Sequence, residues 1–347
     1  FGVLFFYAIF SFLFGLGFYI FMERASEKNV AFVNIYQRRL LVLLGFGFLH
    51  LIFLWSGDIL FNYALAGFIL LKFRHCAGRK LLRWIIGFAI LTIILYLLFG
   101  LLNAYNHSIL GSEYELSLAL LNEYAYEVYR GSSYLELFIF RISSEIPAVI
   151  ISLIVSVPAV LTYFLIGLYV AKTGILRNIQ AHTLLLRRVC AIGLMIGAFW
   201  MLIFFLIETN KLSVDTIIKP SLLTVINYIG SIFIFAAYVA AILLLAQLVK
   251  GRIILAPMAA AGRMALTNYL SQTLVCLFIF TGMGLGLFGH LTLSAGILIA
   301  LVIYTVQVTW SMLWFKKFRY GPLEWVWRAL TYKQKQPILK SDFDQPR

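Results

Sequence analysis

Eighteen residues, none formally charged, separate Arg39 from Asp58, and His50 is the only titratable side chain among them. In so apolar a run an ionisable ring faces protein or a watery cavity rather than lipid, which makes it the first candidate for chemistry. The helical steps from Arg39 to His50, at ~1.5 Å and ~100° each, put the two ~16 Å apart and within ~20° of one face. Asp58 follows the Ser56-Gly57 turn, only ~12 Å of helix rise beyond His50, so a returning helix can carry the carboxylate back toward the ring. A carboxylate that orients an imidazole and stabilises its protonated form is a recurrent general-base arrangement. Two simpler readings stand beside it: a neutral histidine bonded to a neighbouring helix, and an aspartate that only caps the helix it opens. Trp55, Asn62 and Tyr63 flank the pair. Asn62 sits one turn further into the return helix, and the two aromatics also fit an interfacial belt.

Polar residues recur in a later segment, GRMALTNYLSQT over 262–273. Thr267 and Ser271 share one helical stripe and Asn268 and Gln272 a neighbouring one, each pair at i, i+4. Two roles are open to them: hydrogen bonding between helices, or donation to a developing oxyanion from Asn268 or Gln272. Thr224, Asn227 and Ser231 form a similar stripe in the preceding helix, and the two stripes together suit a path across the membrane. Arg38, Arg39 and Arg263 stand at basic ends of spans, where guanidinium groups suit phosphates. The other four histidines fall in loops, and no HExxH, CxxC, Walker or GxSxG pattern is present, so no metal site is implied. Gly284-Leu-Gly286-Leu-Phe-Gly289 fits GxGxxG but lacks a preceding strand, which excludes a dinucleotide site. The pairs Gly193/Gly197 and Gly282/Gly286 predict close helix contacts.

The elements that must position these groups are membrane helices. Hydrophobic residues make up 63% of the chain and charged ones 12%, with a mean hydropathy of +0.95, well outside the range of soluble domains. Long apolar runs rather than short alternations select helices over a barrel. The fold class is therefore all-α, a polytopic bundle with nine spans at 1–22, 40–57, 58–73, 82–103, 144–171, 189–207, 220–249, 264–285 and 291–315. The net charge of +14 does not point to nucleic acid. Of the Lys and Arg residues, all but Arg130, Arg141, Lys211 and Lys219 fall at alternate junctions, the positive-inside pattern of a cytoplasmic face against anionic lipid. This places the C-terminus inside and the first helix's start outside, which predicts a tenth helix before residue 1. Three scattered cysteines, Cys76, Cys190 and Cys276, imply no disulfide framework.

The 104–143 connection carries Glu113, Glu115, Glu123, Glu127 and Glu136 beside Tyr114, Tyr124, Tyr126, Tyr129 and Tyr134. It reads either as an amphipathic interfacial segment or as an aromatic vestibule for an extracytoplasmic acceptor. Beyond the 1–315 bundle, residues 316–347 read as a cytoplasmic amphipathic helix and a disordered tail. Pro322 opens the helix, Leu323, Trp327 and Leu330 share a face, and Glu324 pairs with Arg328.

At Arg38-Arg39-Leu40, Gly45, His50, Trp55-Ser56-Gly57-Asp58-Ile59-Leu60 and Tyr63-Ala64 the sequence resembles the YeiB family of bacterial membrane proteins. SFLFGLGFYIF is similar to that family's early helix. GRMALTNYLSQT and YGPLEWVWRALTY resemble its C-terminal domain of unknown function, to which the 143–315 half of the bundle is assigned. The resemblance implies a multi-pass protein of the bacterial inner membrane. Through a fold-level grouping with polytopic acyltransferases, it also implies transfer of an acyl group from cytoplasmic acyl-CoA. In that reading His50 is general base or transient acyl carrier and Asp58 orients it. Arg38, Arg39 and Arg263 hold the donor, and the acceptor is an envelope glycan or a lipid. A transporter that relays protons through His50 and Asp58 is the principal alternative, and a silent scaffold a third. No permanently bound cofactor is implied, and the oligomeric state is not legible.

Overall fold

The computed structural model describes residues 2–27 and 31–340. In chain order the α-helices are α1 (Gly2–Glu27), α2 (Phe32–Phe53), α3 (Leu60–Leu70), α4 (Gly78–Leu110), α5 (Ser112–Arg130), α6 (Tyr134–Phe140), α7 (Ile146–Lys172) and α8 (Thr183–Glu208), then α9 (Lys219–Gln247), α10 (Val249–Arg263), α11 (Ala265–Phe280), α12 (Leu293–Lys317) and α13 (Pro322–Tyr332). Among the described residues the one β-bridge is an isolated pairing of Phe318 with Leu339. The protein is thus an all-α polytopic bundle, as a chain that must satisfy its backbone groups without water requires.

Seven of the nine expected spans are helices long and apolar enough to cross a membrane, and the other two form the shorter apolar helices Leu60–Phe73 and Ala265–Phe280. Both shortenings have a local cause. Residues 54–59 are taken up by the turn that holds Asp58, and residues 281–292 by a run of turns before α12. The Gly282/Gly286 pair lies in those turns, so it is not the helix contact its spacing predicts. The 104–143 connection is not a loop either: α4 runs on to Leu110, and α5 and α6 fill most of the remainder.

The chain divides into two compact units, neither contiguous in sequence. The first comprises Phe1–Phe32, Leu65–Leu118 and Ser152–Val249. Its core joins Ala8 and Phe12 of α1 to Ala159 and Tyr163 of α7 and Tyr228 and Phe235 of α9. The polar stripe of α9 is partly consumed there: Ser231 is buried and hydrogen-bonds Tyr163 at 3.0 Å, while Thr224 donates to the carbonyl of Pro220. The Gly193/Gly197 expectation holds, since a Cβ on Gly193 would meet the Phe233 carbonyl oxygen of α9 at 2.7 Å.

The second unit comprises Val33–Ala64, Ala119–Ile151 and Lys250–Arg347. Here α13 is fastened to α11 by Glu324, which accepts from the Thr267 N–H at 3.0 Å and from its hydroxyl at 2.6 Å. Glu324 is therefore used by α11 rather than by Arg328, whose guanidinium lies over Tyr320 at 4.5 Å. Leu330 is exposed, off the packed face that Leu323 and Trp327 were expected to share with it. The tail turns back instead of running free. Trp325 donates to the Gln336 carbonyl at 2.7 Å, and the Arg319 N–H to that of Ile338 at 2.9 Å. Lys28 and residues 341–347 of the expected tail lie outside the described residues.

Candidate active site

In the second unit, α2 carries Tyr36, Leu40, Leu43, Gly47 and His50 on its buried face, a spacing of three and four that lines up one side of a helix. After α2 ends, the chain reverses through Trp55-Ser56-Gly57 and returns as α3. Gly47 makes the reversal this tight. A Cβ there would stand 2.3 Å from the Phe61 backbone nitrogen and 2.9 Å from an Asp58 carboxylate oxygen, so no other residue lets the return helix so close.

The result is a buried pair. His50 Nδ1 lies 2.8 Å from Asp58 Oδ1, with both side chains essentially without solvent contact. The second carboxylate oxygen accepts the Phe61 N–H at 2.6 Å, the bond of a helix cap. Capping and orienting are thus not alternatives for Asp58, because one oxygen does each. Oδ1 also accepts from the Tyr269 hydroxyl at 3.3 Å, and that hydroxyl accepts the Ile59 N–H at 3.2 Å. With Nδ1–H donating to the carboxylate, Nε2 is left as an acceptor. It faces the Thr273 hydroxyl at 3.0 Å.

Thr273 and Tyr269 of α11 also line a cavity of about 650 Å³ whose wall is mostly apolar and aromatic, including Trp55, Tyr129, Phe280 and Phe288. His50 is not part of that wall, so the ring meets the cavity through Thr273. Gln272 and Cys276 line it as well. Tyr129 comes from the 104–143 connection, which reads either as an interfacial segment or as an aromatic vestibule. It stacks on Phe288 at 5.0 Å and donates to Glu145 at 2.7 Å. Burial, then that hydrogen bond, holds its hydroxyl well above the ordinary phenol pKa. Behind the pair, Arg141 is fully buried, donating to the Ile52 carbonyl at 3.2 Å and lying 3.8 Å from Glu145. The charge pattern puts it among the outer cations, whereas the fold takes it out of solvent. It stands in a π-helical turn, Arg141–Glu145, a local irregularity that recurs at functional sites.

The remaining expected site residues separate into four groups. Asn62 and Tyr63 are buried at the start of α3. Asn268 is occupied in packing: its amide donates to the Ala261 carbonyl and to Ser311, both at 3.1 Å. Thr267, bonded to Glu324, is likewise a docking residue. Gln272, in contrast, stays on the cavity wall. Arg38 and Arg39 stand at the opposite end of α2, against α13. Arg39 lies 4.1 Å over Trp327, whose indole donates to the Arg39 carbonyl at 2.9 Å, and Arg38 donates to the Thr331 carbonyl at 3.3 Å. Arg263 lies 4.1 Å over Phe315. Sequence reasoning missed Gly47, Thr273, Tyr269 and Arg141. Only Gly47 had a local signal, a glycine on the buried face one turn before the histidine.

Comparison with known proteins adds a family but no activity. A family model described as "Protein of unknown function (DUF418)" matches residues 170–334. The uncharacterized protein YxaH of Bacillus subtilis is 35% identical over 96% of this chain and 80% of its own length. An uncharacterized 39.9 kDa protein from the amylase 3′ region of Bacillus acidopullulyticus is 30% identical over 96% and 82%. The uncharacterized protein YeiB of Escherichia coli is 40% identical over 27% of this chain and 23% of its own. No solved structure matches.

Proposed function

Because the chain belongs to the YeiB-like DUF418 family of membrane proteins, whose description assigns no activity, we propose a function from the site itself: transfer of an acyl group from a cytoplasmic acyl-CoA to a hydroxyl or amine of an amphipathic acceptor. The observation that carries it is the buried His50–Asp58 contact at 2.8 Å, set beside a cavity of about 650 Å³. A histidine held by a carboxylate, with its other nitrogen on a hydroxyl that lines a cavity, is arranged to take a proton from a nucleophile and return it to a leaving group. Gln272 is the wall residue whose amide can donate to a developing oxyanion.

The basic end of α2 supplies the donor side. Arg39 lies over Trp327 and Arg263 over Phe315, each at 4.1 Å, and a guanidinium offers a fork of donors that suits phosphate oxygens. The ~16 Å of helix rise between Arg39 and His50 is a span for a pantetheine arm, so nucleotide and thioester occupy opposite ends of one helix. The apolar, aromatic cavity favours a lipid-like acceptor over a free sugar. In this reading the basic end is cytoplasmic and the turn at Trp55 lies toward the outer face of the bacterial inner membrane.

Purified full-length protein in detergent tests the reading directly, by acyl-CoA binding and thioester cleavage in wild type, Arg39→Ala and His50→Ala. Binding weakened by Arg39→Ala and cleavage abolished by His50→Ala are expected. Wild type that neither binds nor cleaves any acyl-CoA refutes acyl transfer and turns attention to solute flux in vesicles.

A further inference from the structure

We infer that Thr273 is the nucleophile of this site and carries the acyl group as an ester between donor and acceptor. The inference rests on the acyl-transfer reading above and adds to it a residue, a covalent intermediate and an order of events. Its basis is the line of contacts Asp58 Oδ1 to His50 Nδ1 at 2.8 Å and His50 Nε2 to Thr273 Oγ1 at 3.0 Å. The order carboxylate, imidazole, hydroxyl is that of a hydrolytic triad, which is recognised by geometry and not by sequence position.

Three further features separate this from a threonine that merely steadies a ring. First, Thr273 lines the cavity and His50 does not, so the polar atom that the pair presents to a substrate is the threonine oxygen. Second, a threonine within a helix ordinarily returns its hydroxyl to the carbonyl four residues back. That contact is present here, to Tyr269 at 3.3 Å, but the histidine nitrogen is the nearer acceptor. Third, in the neutral ring the tautomer that donates Nδ1–H to Asp58 has Nε2 free to accept the threonine proton.

The step balances without any further reagent. Thr273 Oγ1 bonds to the thioester carbonyl carbon as its proton passes to His50 Nε2. The carbon–sulfur bond then breaks, and the thiol leaves with that proton. An acceptor hydroxyl or amine next attacks the threonyl ester and gives its proton to Nε2. The carbon–Oγ1 bond breaks, and Thr273 recovers the proton. Asp58 stabilises the imidazolium in both halves. Cys276, one turn along α11 and also on the cavity wall, is the competing nucleophile, but its sulfur makes no hydrogen bond to His50 among those described.

Full-length protein in detergent is incubated with acetyl-, octanoyl- and palmitoyl-CoA and no acceptor, and thiol release and intact mass are followed. Wild type is expected to release about one equivalent of thiol in a burst and to gain one acyl mass, the kinetic sign of an acyl-enzyme. The adduct should map to Thr273 and resist the neutral hydroxylamine that strips thioesters. Thr273→Ala and Thr273→Val should lose burst and adduct while still unfolding in one cooperative transition in detergent, and Thr273→Ser should restore burst and adduct. Thioester cleavage that persists undiminished in Thr273→Val, or an adduct on Cys276 or His50, overturns the inference and leaves acyl transfer standing. Wild type that cleaves no thioester removes both.

Discussion

Two glycines on α2, two residues apart, provide a matched test of how the site is assembled. A Cβ on Gly45 would meet nothing within 4 Å, whereas one on Gly47 would stand 2.3 Å from the Phe61 nitrogen, 2.8 Å from its Cα and 2.9 Å from Asp58 Oδ2. Both substitutions to alanine gain about 1 kcal/mol of helix propensity. Only Gly47→Ala adds an overpacking cost of about 1–3 kcal/mol, because the obstructing atoms are backbone and cannot rotate away. Relief requires the return helix to retreat by about 1 Å to reach ordinary carbon–nitrogen contact. The same retreat lengthens the His50–Asp58 contact from 2.8 Å beyond hydrogen-bond range. Misplacement on that scale costs about 10²-fold in rate. Unfolding of purified protein in detergent should therefore show Gly45→Ala at or above the wild-type midpoint and Gly47→Ala below Gly45→Ala by about 1–3 kcal/mol. Thioester cleavage should survive in the first and be largely lost in the second. Equal midpoints and equal rates for the two alanine variants would refute the claim that close approach at Gly47 builds the site.

Asp58→Asn should fail in a particular way. Asp58 accepts on both oxygens, from His50 and Tyr269 on one and from Phe61 on the other, and an amide offers a single acceptor. Either the cap or the histidine loses its partner, at about 1–3 kcal/mol, and cleavage falls about 10²–10⁴-fold. Wild-type stability and rate together would contradict this. Arg141→Ala removes the fully buried cation that holds the Ile52 carbonyl and leaves Glu145 facing an empty site, which should cost about 3 kcal/mol. Arg130→Ala, whose guanidinium bond is exposed, should cost far less, and a similar loss in the two variants would count against a structural role for Arg141. Glu324→Gln replaces two acceptors of Thr267 with one, so α13 should loosen. Trypsin should then cut faster after Lys333 and Lys335, and an unchanged digestion rate would show that α13 is held by other contacts.

The sequence by itself determined that the long apolar runs are helices and that His50 and Asp58 stand close enough along the chain for a returning helix to bring them together, but not that they touch. Backbone groups without water leave only helices for long apolar runs. The His50–Asp58 contact closes over one tight turn, so its partners are neighbours along the chain. The third and fourth members of the site were decided by tertiary structure alone, since Thr273 and Tyr269 lie more than two hundred residues away. Apolar helices surrounded by lipid carry little record of which face is packed, because the lipid-facing side is as hydrophobic as the core. For that reason the polar stripe of α11 did not divide itself into parts: Thr267 and Asn268 went to packing, and Gln272 and Thr273 to the cavity. Arg141 shows the same limit from the other side. A cation outside the long apolar runs reads as solvated, and only the packing of α2 against the Arg141–Glu145 turn, where the Ile52 carbonyl meets the guanidinium, takes it out of water.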